Sequence, residues 1–341
     1  MKKTLAIKAA CFNLTLSSCV LLFSILFFLL VFSSCVSRGV AQAEEYYTIG
    51  MAYFEMGKFS EAEMWLNRAR AADKTMVASE YNLGRIAFET GRYEEAAKLF
   101  EKIVDLDPDN VMALKAAAYS RIKNGNLETA EALYEKVLAL VPENADDGFN
   151  YALVLYGLEK YEEGEKVLNK YPFALEEKAP SILLLARTQR AMEKVEAIDT
   201  YSKWAIVNES TPNSQGLYEY AQVLEEAEFF ARAMEQYDEA LKAHAKDTAT
   251  FKKSMIRFGK ARVLLTVDPD NEESLEEFNN AIKEGFADRD AIEPLLSDER
   301  ISEYNREEIR KVYDSLLIKE GEKEEEEEET EEEEETSDEE A

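Results

Sequence analysis

The 341-residue sequence has few of the side chains on which most catalytic and metal sites depend. It contains one histidine, His244, and three cysteines, Cys11, Cys19 and Cys35, all of which precede residue 36. A single imidazole excludes a histidine-rich metal site. The position of the cysteines excludes a disulfide framework, a cysteine zinc site and a thiol nucleophile in the rest of the chain.

The sequence also lacks the short motifs that carry nucleotide, metalloprotease or serine-hydrolase chemistry: it has no GxxxxGK[ST], HExxH, GxSxG or GxGxxG pattern. The pairs Asp107/Asp109 and Asp268/Asp270 look like fragments of calcium loops, but neither is followed by the glycine and distant glutamate of an EF-hand. We therefore expect no enzyme activity, no catalytic residues, no metal ligands and no cofactor.

Positive charge is in short supply, with 40 Lys and Arg residues against 70 Asp and Glu residues and a formal net charge of −30. A surface of this sign excludes nucleic acid as a partner, because phosphate binding needs a basic surface. Much of the negative charge lies in residues 321–341, a run of fifteen acids with one lysine. Like charges repel and no apolar surface is available there, so this segment is predicted to be a disordered acidic tail.

Glycine and proline are also scarce, at 13 and 7 residues, while 46% of residues are hydrophobic, a composition that favours helix. The chain repeats itself every 34 residues over 43–76, 77–110 and 111–144. Aligned positions carry similar residues: Gly50, Gly84 and Ala118; Gly57, Gly91 and Gly125; Ala62, Ala96 and Ala130; Leu66, Phe100 and Tyr134; and Pro108 and Pro142. A fixed short period indicates stacked units, none of which buries its apolar face alone.

Each unit is predicted to be a helix–turn–helix, since the central glycine ends one helix and the proline follows the second. The small residues at the eighth and twentieth positions allow two helices to approach closely. Gly84, Tyr93, Ala96, Phe100 and Pro108 carry a resemblance to the tetratricopeptide repeat. The resemblance implies an all-α fold, a right-handed α-solenoid of tetratricopeptide helix–turn–helix repeats.

The repeat pattern divides the remaining chain into further segments. It predicts repeats near 43–76, 77–110, 111–144, 145–172, 178–213, 214–247 and 251–285, the fifth being degenerate. Two more helical patterns at 286–320 are predicted to cap the array, because terminal repeats need a polar outer face.

The amino terminus has the features of an export signal. Lys2, Lys3 and Lys8 precede an apolar run that ends at Ser33-Ser34-Cys35. Residues 32–35 resemble a bacterial lipobox, which implies that residues 1–34 are a lipoprotein signal peptide, that Cys35 is lipidated and that 35–42 form a tether. The alternative is an uncleaved anchor, since residues 9–37 carry no charge and are long enough to span a bilayer. Both place the repeats on the periplasmic side of a bacterial membrane.

In tetratricopeptide arrays the first helix of each unit lines the concave groove. The resemblance therefore places a partner-binding surface on the outward positions of these helices: Tyr47, Met51, Phe54, Tyr81, Arg85, Phe88, Lys115, Tyr119, Lys123, Phe149 and Tyr156. Tyr218, Gln222 and Glu225 occupy the same positions in the sixth repeat. Tyrosine and arginine are favoured at binding hot spots. Packing between neighbouring first helices is the other interpretation of the aromatic residues.

The Lys/Asn clamp that some family members use for peptide carboxylates is missing, because Tyr47 and Met51 stand where its first residues would be. We do not assign that ligand class. The sequence favours a membrane-anchored, non-catalytic scaffold that binds a protein or peptide partner of an envelope complex in its groove. A periplasmic accessory protein that captures a small ligand within the solenoid remains the alternative.

Overall fold

The structure, a computed structural model, describes residues 39–211, 213–246, 251–269 and 271–318. Within these ranges it contains seventeen helices and no strand, which confirms the predicted all-α class of helical repeats. No helix in the described ranges is long and apolar enough to cross a membrane. The predicted signal peptide, Cys35 and the acidic tail at 321–341 lie outside the described residues.

The chain forms two compact units, divided after Lys160. The first unit contains seven helices that pair in sequence order: α1 (39–55), α2 (Phe59–Ala72), α3 (Val77–Glu89), α4 (Tyr93–Leu106), α5 (Val111–Lys123), α6 (Leu127–Leu140) and α7 (Ala145–Gly157). Helix α1 already includes residues 39–42, which the sequence pattern assigned to the tether. The odd-numbered helices are the first helices of the predicted repeats.

The second unit begins at Tyr161. Its helices are α8 (Tyr161–Leu168), α9 (Ala174–Glu177), α10 (Ala179–Ala191), α11 (Ala197–Val207), α12 (Ser214–Glu226), α13 (Phe230–His244), α14 (Lys253–Val267), α15 (Glu272–Lys283), α16 (Arg289–Ser297) and α17 (303–318). Here the even-numbered helices from α10 to α14 are the first helices of the predicted repeats.

Asparagine side chains begin several helices of the first unit. Asn110 accepts a hydrogen bond from the backbone N–H of Ala113, and Asn144 accepts from the backbone N–H groups of Asp146 and Asp147. Each bond satisfies a donor that the first turn of a helix leaves free. The last residue of one repeat therefore fixes where the next repeat begins.

Close packing between the two helices of a repeat depends on small residues, as the repeat pattern predicts. A Cβ atom on Gly84 of α3 would lie 2.7 Å from the ring of Phe100 on α4. Ala96 and Ala130 are completely buried among the apolar residues that α3 to α7 share. In the second unit a small residue also lies between successive repeats, where a Cβ on Gly259 of α14 would lie 2.5 Å from the Tyr237 ring on α13.

The turns between paired helices share one left-handed residue. Gly57, Gly91 and Gly125 have φ angles of 70°, 77° and 77°. After Gly91, the backbone N–H of Arg92 donates to the carbonyl of Ala87, which closes a Schellman motif. In the next three repeats the corresponding residue is glutamate: Glu159, Glu193 and Glu228, with φ angles of 60°, 55° and 61°. These turns keep the same hydrogen bonds, although glycine adopts the left-handed conformation more easily than glutamate does.

Candidate partner-binding face

Helices α1, α3, α5 and α7 present the residues that the sequence placed in the groove. The aromatic residues among them form ring contacts within and between repeats. The Tyr81 ring packs on Phe100 at a centroid distance of 5.2 Å. The Phe88 ring contacts Tyr93 at 5.2 Å and stacks on Tyr119 of the next first helix at 5.3 Å. Tyr81, Phe88 and Tyr119 form an aromatic row on this face. Tyr119 keeps 43% of its surface exposed, so the row takes part in packing and also contributes to the open surface.

Two cations of this face lie on aromatic rings. The Arg85 guanidinium carbon is 4.4 Å from the Phe54 ring centroid, and the Lys123 ammonium is 5.5 Å from the Tyr119 ring centroid. Arg85 also donates a hydrogen bond to the side-chain oxygen of Asn82, whose amide nitrogen donates to the Tyr47 hydroxyl. Within the described part of the chain neither cation pairs with a carboxylate. Both therefore retain donors that face solvent.

The other cations of these repeats are largely occupied. Arg92 pairs with Glu63 and Glu95. Arg121 is almost buried and pairs with Glu94 at 2.6 Å and with Glu101 at 2.7 Å. These two glutamates raise the pKa of the Arg121 guanidinium, Glu101 most strongly, although burial opposes them. Arg121 therefore links α5 to α4 through two ion pairs, whereas Arg85 and Lys123 lie on aromatic rings.

A cavity of about 470 Å³ opens beside the aromatic row. Three of the predicted groove residues line it together: Tyr81, Lys115 and Tyr119. Arg85, which the sequence grouped with them, is not among its lining residues and lies on Phe54 instead. The remaining lining residues are Val111, Met112, Ala116, Tyr134 and Asn150. Met51, Phe149 and Tyr156 are half-buried elsewhere on the same helices.

Lys115 differs from the expectation of a free groove cation. Its ammonium lies 2.7 Å from Oδ1 of Asp147, whose side chain is 1% exposed. Among the described residues, no donor forms a hydrogen bond of good geometry with either carboxylate oxygen of Asp147. Burial raises the pKa of the adjacent Tyr134 hydroxyl, and the charge of Asp147 raises it further. Sequence reasoning missed Asp147, although an acid at the third position of this repeat, where the two preceding repeats hold Ser79 and Ala113, was a visible signal.

In the second unit, charged residues of neighbouring first helices form ion pairs with one another. Glu219, Glu225 and Glu226 on α12 form ion pairs with Arg187, Arg262 and Arg190 on α10 and α14, at 2.7, 2.6 and 2.6 Å. Tyr218 packs its ring against Tyr237 and Phe251. The groove positions that the sequence identified in the sixth repeat are therefore used for internal contacts.

Two family models match the chain. A model described as tetratricopeptide repeat matches residues 47–111, and one described as anaphase-promoting complex, cyclosome, subunit 3 matches residues 123–204. No curated protein matches the chain.

Solved structures share the architecture at low sequence identity. A tetratricopeptide repeat protein from Parabacteroides merdae has 19% identity and a TM-score of 0.55, over 75% of this chain and 98% of its own. PilF from Pseudomonas aeruginosa has 19% identity and a TM-score of 0.49, over 68% of this chain and 97% of its own. MamA from Desulfovibrio magneticus has 21% identity and a TM-score of 0.47, over 50% of this chain and 98% of its own. At 19% identity the similarity to the Parabacteroides merdae protein concerns the fold alone.

Proposed function

The chain belongs to the tetratricopeptide repeat family, and on that premise we propose that it is a non-catalytic scaffold that binds an extended segment of a partner protein. The tetratricopeptide fold is typical of protein–protein interaction. We place the binding surface on the first helices of the repeats in the first unit, which are α1, α3, α5 and α7. The observation that carries this proposal is the row of half-exposed aromatics with the two unpaired cations Arg85 and Lys123.

This face has the composition of a binding surface. Rigid aromatic rings supply apolar contact area at a small entropic cost, and tyrosine and arginine dominate binding hot spots. Arg85 and Lys123 offer donors to backbone carbonyls or carboxylates of a bound segment. Because each is held over a ring, the segment meets cations that are already positioned. On α10, α12 and α14, by contrast, the corresponding charged residues form ion pairs with one another.

We further propose that the scaffold is tethered to a bacterial membrane through a lipid on Cys35 and faces the periplasm, where its partner is a protein of the envelope. The support for this comes from the basic start, the apolar run and the Ser33-Ser34-Cys35 sequence. An uncleaved anchor at residues 9–37 would give the same orientation.

The binding surface is tested by the double variant Tyr81→Ala/Arg85→Ala in the full chain, with partner recovery from crosslinked membranes as the readout. Truncating a hot spot costs about 2 kcal/mol or more, so the main partner should no longer be recovered, while the helical circular dichroism is kept. The matched control is Glu135→Ala/Lys136→Ala on the exposed side of α6, where neither residue forms an ion pair with another described residue. Loss of the partner with the control, but not with the groove pair, would move the binding site to the second helices.

The control avoids Glu94, although that residue lies on a second helix. Glu94 accepts hydrogen bonds from Arg121 and from Asn124, so its removal would leave the nearly buried Arg121 with one partner fewer. A change there would disturb the joint between α4 and α5 and could not be read as a surface effect.

A further inference from the structure

The cavity beside the aromatic row is lined by elements of four helices. Tyr81 comes from α3, Lys115 and Tyr119 from α5, Tyr134 from α6 and Asn150 from α7. Three of the residues that line it are therefore tyrosines. Met112 also lines it and is 63% exposed. The volume of about 470 Å³ is ample for one long side chain of a partner.

Asp147 lies three residues before Asn150 on α7 and is joined to the cavity through its ion pair with Lys115, which lines the cavity. Its carboxylate is shut off from solvent, and Lys115 Nζ lies 2.7 Å from Oδ1. An ionised carboxylate has room for about four hydrogen bonds, so this one is largely unsatisfied. Burying a charge with so few partners costs folding free energy.

Packing of the repeat does not explain an acid at this place. The corresponding third position is Ser79 in the second repeat and Ala113 in the third, and both are completely buried. In the first repeat it is Glu45, which is exposed. A small residue therefore fits this position in the second and third repeats, where it is buried. Asp147 adds a buried negative charge that the first three repeats lack at this position.

The residue that covers Asp147 is able to move. Lys115 keeps 38% of its side chain exposed, and its flexible stem lines the cavity. Lysine reaches a carboxylate as a single point charge, whereas a guanidinium bonds both oxygens at once.

We propose that this cavity is a subsite for a basic side chain of the partner segment, arginine above all, which replaces the Lys115 ammonium on Asp147. The guanidinium bonds both Asp147 oxygens beside the tyrosine residues that line the cavity, Tyr81, Tyr119 and Tyr134. The net charge of −30 draws basic segments toward the chain. This subsite rests on the proposed function, because it lies on the proposed binding face.

The subsite is tested with four small probes on the full-length protein in detergent: the N-acetyl methylamides of arginine, lysine, norleucine and glutamate. The methyl NMR signal of Met112, assigned with Met112→Leu, reports occupation of the cavity. We expect the arginine probe to bind at least about tenfold more tightly than norleucine, with lysine between them. Equal binding of arginine and norleucine would make this an apolar pocket, and tightest binding of glutamate would make it an anion site on Lys115. Either result overturns the proposal.

Two variants separate recognition from folding. Asp147→Asn should weaken the arginine probe at least about tenfold and leave norleucine unchanged. Asp147→Ser, which copies Ser79, should weaken it equally while keeping or raising the melting temperature, because a buried charge is removed. Lys115→Gln should tighten the arginine probe severalfold, since the competing cation is gone. An unchanged arginine affinity in Asp147→Asn, or in Lys115→Gln, would overturn the exchange.

The subsite and the proposed function fail in different ways. If Tyr81→Ala/Arg85→Ala abolishes recovery of the partner while Asp147→Asn retains it in full, the binding face stands and the basic subsite is wrong. If both variants retain the partner, the binding face itself is wrong.

Discussion

Phe88 of α3 stacks on Tyr119 of α5 with an interplanar angle of 29°, so an aromatic contact joins the first helices of two successive repeats. The contact leaves Tyr119 partly exposed, and Lys123 lies over its ring. Packing between neighbouring first helices, one of the two interpretations of the aromatic residues, is therefore observed here, while Tyr119 keeps surface for the proposed partner.

The stack should appear as a coupling in a double-mutant cycle. For Phe88→Leu and Tyr119→Leu we expect a coupling of about 0.5–1.5 kcal/mol in the free energy of unfolding, the range for aromatic pairs. Urea denaturation of the four proteins measures it. A second cycle with Phe88→Leu and Phe149→Leu, on helices α3 and α7, should be additive. Additivity in the first cycle would show that the stack contributes no stability.

The small-residue positions should reject larger side chains. Ala130 is completely buried on α6, so Ala130→Leu should destabilise the chain by about 1–3 kcal/mol through overpacking. Ala139→Leu makes the same change at an exposed position of the same helix and should be close to neutral. Thermal unfolding compares the two, and equal melting temperatures would contradict the close approach of paired helices.

Glycine should stabilise the three turns that now hold glutamate. Glu159, Glu193 and Glu228 have left-handed backbones, which cost a residue with a Cβ about 1 kcal/mol or more. Each change to glycine should therefore raise the free energy of unfolding by about 1 kcal/mol. Glu135→Gly, within helix α6, should do the reverse by a similar amount. The same sign for turn and helix substitutions would contradict this account.

The acidic tail should contribute little to stability. Ending the chain after residue 320 removes fifteen acids and should leave the melting temperature nearly unchanged, because a solvated charge run buries no apolar surface. Ending it after residue 302 also removes α17, whose Ile309 is completely buried, and should lower the melting temperature. A large loss on removing only 321–341 would mean that the tail packs against the repeats.

Cys35 should carry the lipid. The intact mass of detergent-extracted protein is expected to lack residues 1–34 and to include added lipid, and Cys35→Ser should abolish both changes. Cys19→Ser should have no effect, since Cys19 precedes the apolar core that processing must remove. An unmodified full-length mass would favour the uncleaved anchor.

Periodicity predicted the helices because the structure restricts which residue fits at each repeat position. Gly84 must lack a Cβ beside Phe100, and Gly91 must accept a left-handed turn, so the residues themselves mark the structure. A turn can also keep this conformation where the residue is not glycine. Glu159 keeps the turn although it is not glycine, because the flanking helices and the Schellman hydrogen bonds hold it there.

The candidate site was predicted less completely than the fold. Register placed Tyr81, Lys115 and Tyr119 on one surface, and they do line one cavity. It could not place Asp147 beneath them, because the pairing with Lys115 joins helices from two repeats and depends on side-chain conformation. For the same reason, the letters alone did not distinguish the free Arg85 from the fully engaged Arg121.

The change from glycine turns to glutamate turns along the chain has a consequence for how the protein opens. In a repeat array each unit is stabilised by itself and its neighbours, so local opening begins where the intrinsic stability is lowest. The turns at Glu159, Glu193 and Glu228 should exchange their amide hydrogens first, and those at Gly91 and Gly125 last. Helices α3 and α5, which carry the aromatic row, would then remain folded and able to hold a partner while later repeats fluctuate.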